Sequence, residues 1–172
     1  MSDPAPEWHR PLPVLRLAAG SHFETIIATP AECAALAVRM GLPAIKSLRC
    51  GFTLHPRTAG AFRADGHLVA RFTQTCVVSL DDFATAMDEK FRLMFVPAGQ
   101  ESDDDPESVD EVPYHGLAID LGEAAAEQFA LLLDPYPRKP DAALADLSGD
   151  DPTAESGPPS PFAALARLRR TD

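Results

Sequence analysis

The chain has 172 residues, and its 26 acidic and 15 basic side chains give a formal net charge of −11. This length fits one domain with tails, and a hydrophobic fraction of 45% is typical of a soluble globular protein. No apolar run approaches the roughly 18 residues of a membrane span, and the first residues lack the basic and apolar stretches of a secretory signal. We therefore expect a cytoplasmic protein with no membrane partner, whose acidity also argues against DNA as a partner.

The first two segments of the chain are short. Residues 1–11 are rich in proline and polar groups, and we expect a flexible leader there. Two β-like runs follow, Leu12–Leu17 and Phe23–Ala28, and Gly20 separates them.

A helix is predicted over Pro30–Met40. Thr29 can act as its N-cap and Glu32 completes a capping box, while proline suits the first helical position. Apolar residues recur at helical spacing from Cys33, which we therefore interpret as a buried small hydrophobe. Gly41 suits the left-handed position that ends a helix.

The period then changes from helix to strand. Residues 48–54 alternate between apolar and polar or small side chains, and Asp65-Gly66 between two such runs predicts a tight hairpin turn. From Leu68 to Leu80 the even positions are mostly apolar, and after Asp81-Asp82 the apolar set moves to odd positions up to Phe95. Two long antiparallel strands around an acidic turn would place both sets on one face.

An acidic segment follows this predicted sheet. Residues 101–111 contain seven acids and no base, so they hold −7 of the net −11. Such charge density predicts a disordered loop over 101–113. It is either solvated or a docking site for a basic partner, through Asp103, Asp104 and Asp105 among others.

The last third begins with a second predicted helix, capped by Asp120 with Glu123 three residues on, and running to Leu133. We expect residues 139–160 to form a linker. The segment 161–170 predicts a short helix with an apolar stripe and a basic end, which needs a surface to lie on, either its own domain or a partner. Its candidate contacts are Phe162, Leu165, Leu168, Arg167, Arg169 and Arg170.

No catalytic motif stands out. The chain has no P-loop, no Gly-x-Gly-x-x-Gly and no His-Glu-x-x-His, and its five histidines are scattered. Three widely spaced cysteines form no disulfide framework and no CxxC metal pair. Cys76 could pair with a histidine, but its strand position favours a buried structural role. We expect no catalytic residue, no metal and no cofactor.

Three stretches resemble the YceD family of bacterial large-ribosomal-RNA-subunit accumulation proteins, which has plastid relatives. They are Ile119–Arg138, the terminal Pro161–Arg169, and Gln74–Val78, where many members carry Cys-x-x-Cys. The variant with Asp-Pro-Tyr-Pro-Arg and one strand cysteine resembles the alphaproteobacterial branch. The chain departs from the family pattern at two positions. Thr73 stands in place of the first cysteine, which removes a metal ligand. Ser160 stands in place of the asparagine before Pro-Phe, and both residue types can cap a helix.

The expected fold is α+β, with one domain over 12–138. An antiparallel, strongly bent or barrel-like sheet carries the two main helices, and disordered tails flank it. The resemblance implies a role in 23S rRNA accumulation and 50S subunit assembly, with no catalytic residues to transfer.

Three functional hypotheses follow. In the first, a non-enzymatic assembly factor binds a large-subunit ribosomal protein or pre-50S particle through the acidic loop, with the terminal arginines near 23S rRNA. In the second, the polar sheet face binds RNA directly through Arg49, Arg63 and Arg71, unless these merely solvate that face. The third is an RNA-processing hydrolase, which would require a pocket that gathers His55, His67 or His115 with carboxylates.

Overall fold

The computed structural model describes residues 6–17, 20–100 and 110–140. Their elements, in chain order, are β1 (Pro11–Pro13), α1 (Val14–Leu17), β2 (His22–Ile27), α2 (Pro30–Arg39), β3 (Ala44–Pro56), a 3-10 turn (Thr58–Gly60), β4 (Phe62–Thr75), β5 (Asp82–Pro97), β6 (Glu111–Tyr114), β7 (Ala118–Asp120) and α3 (Leu121–Leu132). None of the helices in these ranges is long and apolar enough to cross a membrane.

The main sheet has the order β2-β3-β4-β5-β6, and β1 pairs with β7 in a small second sheet. Strands β2 to β5 are antiparallel, as the short connections predict. The pairing of β5 with β6 is parallel, with Glu111 opposite Met94 and Tyr114 opposite Pro97. This confirms the α+β class, whereas within the described strands the sheet stays open at β2 and β6 and forms no closed barrel.

The long strands place their apolar sets on one inner face, as the alternation predicts. Ala64 lies opposite Leu93 and Phe62 opposite Phe95, and all four side chains are buried. Helices α2 and α3 contribute to the same core, where the ring of Phe129 packs edge-on against Phe72 at a centroid distance of 5.2 Å. The opposite, outer face of the sheet carries the polar positions.

The prediction of a hairpin turn at Asp65-Gly66 is wrong. Both residues lie inside β4, and the connection is the 3-10 turn, where Gly60 has a positive φ of 78°. Gly66 instead makes room for a neighbouring strand, since a Cβ there would overlap the ring of Phe91. That ring packs edge-on against Phe52 at a centroid distance of 5.8 Å. Gly66 is therefore required for the packing of Phe91 and not for a turn.

The alternation also ends earlier than predicted. β4 stops at Thr75, Cys76 is the last fully buried even position, and Leu80 lies exposed in the following turn with a φ of 60°. A residue in a turn no longer follows the strand period, so Val78 and Leu80 do not extend the inner face.

The capping box of α2 is confirmed. The amide of Glu32 donates to Thr29 Oγ1 at 3.3 Å, and the Thr29 amide donates to Glu32 Oε2 at 2.7 Å. The helix runs to Arg39, Met40 is its C-cap, and Gly41 adopts a φ of +64° as predicted. Cys33 is buried on the inward side of this helix.

The N-terminal segment is not wholly a leader, and its later residues begin the domain. Trp8 is fully buried, and the Arg10 amide donates to Asp120 Oδ1 at 2.8 Å. The Leu121 amide donates to the Arg10 carbonyl at 3.1 Å. Gly122 allows this approach, because a Cβ there would be 2.7 Å from the Trp8 carbonyl carbon and closer to its oxygen. The run predicted as a strand over Leu12–Leu17 divides into the end of β1 and helix α1.

Helix α3 begins at the predicted cap. Asp120 Oδ1 accepts from the amides of Gly122 and Glu123, whereas the Glu123 carboxylate pairs with Arg39 at 2.7 Å instead of closing a capping box. Two predicted boundaries also move. β6 begins at Glu111, inside the segment 101–113 predicted as a disordered loop, and Lys139, predicted to begin the linker, donates its amide to Cys76 Sγ at 3.4 Å.

Candidate nucleic-acid interface

The outer face of the main sheet is built from cross-strand rows. The strand registers align one residue from each of β2, β3, β4 and β5 in three successive rows. The rows are Phe23-Thr53-Asp65-Arg92, Thr25-Gly51-His67-Lys90 and Ile27-Arg49-Val69-Asp88. One further row on each side contains Arg63 and Arg71. We call these five rows the basic face.

The basic face is positively charged although the chain is acidic. It carries five basic side chains, Arg49, Arg63, Arg71, Lys90 and Arg92, and three acidic ones, Asp65, Asp88 and, on β6 opposite Met94, Glu111. The formal excess is therefore two positive charges, in a chain whose net charge is −11. A local potential of this sign attracts polyanions to this one face.

Some of these charges are paired within the face. Asp65 binds Arg63 at 3.0 Å and Arg92 at 2.9 Å. The hydrogen bond from Arg92, together with the charge of Arg63, holds the pKa of Asp65 below its ordinary value. Asp88 binds His67 Nε2 at 2.7 Å, and this bond lowers the pKa of Asp88, with help from the charges of Arg49 and Lys90. Their neighbours thus favour the charged form of both acids.

Three cations are left without a direct partner. Within the part of the chain that the structure describes, the side chains of Arg49, Arg71 and Lys90 make no hydrogen bond or ion pair. Lys46, Arg49 and Arg71 also line a cavity of about 330 Å³ beside the start of α2. These groups can bind phosphate oxygens without first giving up an internal partner.

A groove of about 650 Å³ runs across the middle rows of the basic face. Its lining includes Phe23, Arg49, Gly51, Lys90 and Arg92. Gly51 leaves the groove open, because a Cβ at that position would meet only Thr25 Oγ1 at 3.8 Å and Phe23 Cε2 at 4.0 Å. The ring of Phe23 is 70% exposed at the β2 edge of this groove.

The structure places the three arginines of the RNA hypothesis on one face, as their odd positions predict. Arg63 differs from the other two, because it is held by Asp65. Sequence reasoning missed Lys90 and Arg92, although their alternation with Phe91 was a usable signal. It also missed Phe23 and Gly51, because their place in the groove depends on the pairing of β2 with β3.

The candidate partner-binding residues lie outside the described residues. These are Asp103, Asp104 and Asp105 in the acidic segment, and Phe162, Leu165, Arg167, Leu168, Arg169 and Arg170 near the end of the chain.

The histidines of the hydrolase hypothesis are not gathered. His55 lies 3.5 Å from Asp65 and His67 lies 2.7 Å from Asp88 on the basic face. His115 borders a separate cavity of about 280 Å³ together with Glu127 and the α3 cap Asp120. Across residues 6–17, 20–100 and 110–140, no group of three or more His, Cys, Asp or Glu side chains could hold a metal ion.

Cys76 is buried as predicted, but its surroundings are polar. Its Sγ accepts from the amides of Val78, Ser79 and Lys139, each at 3.4 Å. These hydrogen bonds, of which the one from Ser79 is the largest influence, lower the pKa of the Cys76 thiol to about 6. In contrast, burial raises the pKa of Cys50 to about 12. The hydrogen bonds of Cys76 Sγ therefore connect the 76–81 turn to the residues that follow α3.

A family model described as "Large ribosomal RNA subunit accumulation protein YceD" matches residues 64–169, which is more than half of the chain. The match begins within β4 and extends past α3, so β2 and β3, with Phe23, Arg49 and Gly51, lie outside it. No curated protein and no solved structure matches the chain. The chain belongs to the YceD family of large ribosomal RNA subunit accumulation proteins.

Proposed function

We propose that this protein supports accumulation of the large-subunit ribosomal RNA as a non-enzymatic, cytoplasmic assembly factor that contacts the RNA through its basic face. The family description supports the biological process. The observation that carries the contact is an excess of two positive charges on one open sheet face of a chain with a net charge of −11. Phosphate neutralisation by such clustered cations supplies most of the affinity of sequence-independent nucleic-acid binding.

The three cations without a partner are suited to this contact. An ion pair must be broken before its cation can bind another anion, whereas Arg49, Arg71 and Lys90 carry no such cost within the described residues. Arg63 and Arg92 both bind the carboxylate of Asp65, which fixes their positions on β4 and β5. In this proposal they order the face while the other three bind phosphate.

A charge-matched comparison tests the contact. The full chain and the variant Arg49→Gln/Lys90→Gln are titrated against a labelled 23S rRNA fragment over a series of salt concentrations. The control Arg16→Gln/Arg138→Gln removes the same charge from exposed positions outside the five rows. We expect the first variant to lose about 5- to 30-fold in affinity, for roughly 1–2 kcal/mol of lost interaction.

The salt dependence supplies a second readout. Each lost phosphate contact should reduce the slope of log affinity against log salt by about 0.7 on single strands. The control should bind like the unmodified chain. Absence of binding at low salt, or equal losses in both variants, would refute contact through the basic face.

The acidic segment favours an additional protein partner. Residues 101–111 concentrate a charge of −7, which suits docking to a basic large-subunit ribosomal protein. Residues 161–170 would then be a second contact with the pre-50S particle. Deletion of 101–111 should weaken association with pre-50S particles, and unchanged association would remove the segment from the mechanism.

The branch within the family is a separate proposal. The single cysteine of the 74–78 stretch and the sequence 134–138, Asp-Pro-Tyr-Pro-Arg, support an alphaproteobacterial-type member.

A further inference from the structure

The groove of the basic face has features that bear on which class of RNA it binds. This inference rests on the proposed function, since it concerns the same face. We infer that the groove over Gly51 binds unpaired ribonucleotides, with a base stacked on Phe23 and the adjoining phosphates on Arg49 and Lys90. The inference distinguishes single-stranded RNA from a duplex as the preferred ligand.

The first observation is an exposed aromatic ring among charges. Phe23 is 70% exposed, although it occupies the same outer rows as Asp65 and Arg92. Ile27, four residues on along β2, is 64% exposed on the same face. An exposed aromatic ring beside cations is the arrangement that single-stranded nucleic-acid sites use, because every base has a face that can stack.

The second observation is the space beside that ring. Phe23 Cε2 lies 4.0 Å from the position that a Cβ of Gly51 would take, so the ring leans toward the groove. The glycine keeps this part of the groove empty down to the backbone. A planar base can enter there and lie against the ring.

The third observation is the position of the cations. Lys90 and Arg92 lie on β5, three strand spacings or roughly 14 Å from β2, and Arg49 lies on the strand next to β2. One cation therefore lies on β3 close to the stacking position, and two more lie on β5 at the far side of the groove. A polynucleotide crossing the strands would meet the ring and the cations in turn.

A duplex cannot use the aromatic ring in this way. In A-form RNA the base faces are stacked inside the helix, and proteins contact its phosphates and 2′-hydroxyl groups. Duplex binding would therefore involve the cations but not Phe23. Substitution at Phe23 or Gly51 consequently separates the two ligand classes.

The experiment uses the full chain with two probes, a labelled 12-nucleotide single strand without secondary structure and the same strand in a perfect duplex. The variants are Phe23→Ala, Phe23→Trp and Gly51→Val, with Leu131→Ala as a control for loss of an exposed apolar side chain on α3. Thermal melting confirms that each variant is folded. The valine should be tolerated, since the nearest atoms to a new Cβ are at ordinary contact distances and β-branched residues suit strands.

We expect tighter binding to the single strand than to the duplex. Phe23→Ala should weaken single-strand binding about 5- to 150-fold with an unchanged salt slope, and Phe23→Trp should preserve it. Gly51→Val should weaken single-strand binding by filling the groove, while duplex binding changes by less than about twofold.

Two results would overturn the inference. One is equal or tighter binding to the duplex, and the other is single-strand affinity that stays within about twofold in Phe23→Ala. If either occurs while Arg49→Gln/Lys90→Gln still weakens binding, the proposed RNA contact stands and only the stacking site fails. If the full chain binds neither probe at low salt, the proposed RNA contact fails as well.

Discussion

The docking of the N-terminal segment on α3 gives a sharp stability prediction at Gly122. Alanine in place of glycine usually favours a helix by up to about 1 kcal/mol. Here the added Cβ would be 2.7 Å from the Trp8 carbonyl carbon and closer to its oxygen. Both are backbone atoms, so relief requires movement of the whole segment.

The size of the effect follows from what that movement would disrupt. Trp8 is fully buried, and truncation of a buried tryptophan costs about 3–5 kcal/mol. The hydrogen bonds of Arg10 with Asp120 and Leu121 would also be strained, at about 1 kcal/mol each. Partial displacement should therefore lower the free energy of unfolding of Gly122→Ala by about 2–4 kcal/mol.

Urea unfolding followed by fluorescence measures this directly, because Trp8 is the only tryptophan of the chain. The native emission of Gly122→Ala should shift to the red as Trp8 becomes exposed. Gly51→Ala is the matched control, since its Cβ meets nothing closer than 3.8 Å, and its emission should not change. A Gly122→Ala protein that is as stable as the unmodified chain, with native emission, would refute the packing argument.

Further predictions concern the α2 cap, the Arg10–Glu32 pair and Cys76. Thr29→Ala should lower the free energy of unfolding by about 1 kcal/mol in urea titrations, and an unchanged value would contradict the capping role. The hydrogen bond from Arg10 lowers the pKa of Glu32 to about 2, so its stabilisation is complete above the ordinary value of 4.5 and is lost as the pH falls from there toward 2. Glu32→Gln should therefore show a shallower loss of melting temperature over that range, and parallel curves would contradict the pair. The pKa of Cys76 is lowered from 9.0 to about 6, so its extra stabilisation is complete above pH 9 and is lost as the pH falls to 6. The difference in melting temperature between the unmodified chain and Cys76→Ala should thus grow from pH 6 to pH 9, and a constant difference would count against thiolate hydrogen bonding.

Locally determined features could be predicted from the sequence. The α2 cap depends on Thr29 and Glu32, three residues apart, and the α3 cap depends on Asp120 and the amides that follow it. The outward placement of Arg49, Arg63 and Arg71 follows from the two-residue period of a strand. Each of these features needs only neighbours in the sequence.

Features set by distant contacts could not be predicted in this way. Gly66 resembles a turn glycine until Phe91 is placed over it by the β4–β5 register. Trp8 lies in a proline-rich stretch, and only Gly122 on α3 shows why it packs there. The groove requires β2 to be paired with β3, since otherwise nothing connects Phe23 with Gly51.

Crosslinking tests the central claim most directly. The full chain is irradiated in complex with a 23S rRNA fragment, and mass spectrometry identifies the crosslinked peptides. Contact through the basic face predicts crosslinks in β2 and β3, at Phe23 and near Arg49, and in β5 near Lys90. Crosslinks confined to the terminal segment 161–170, with none on these strands, would contradict it.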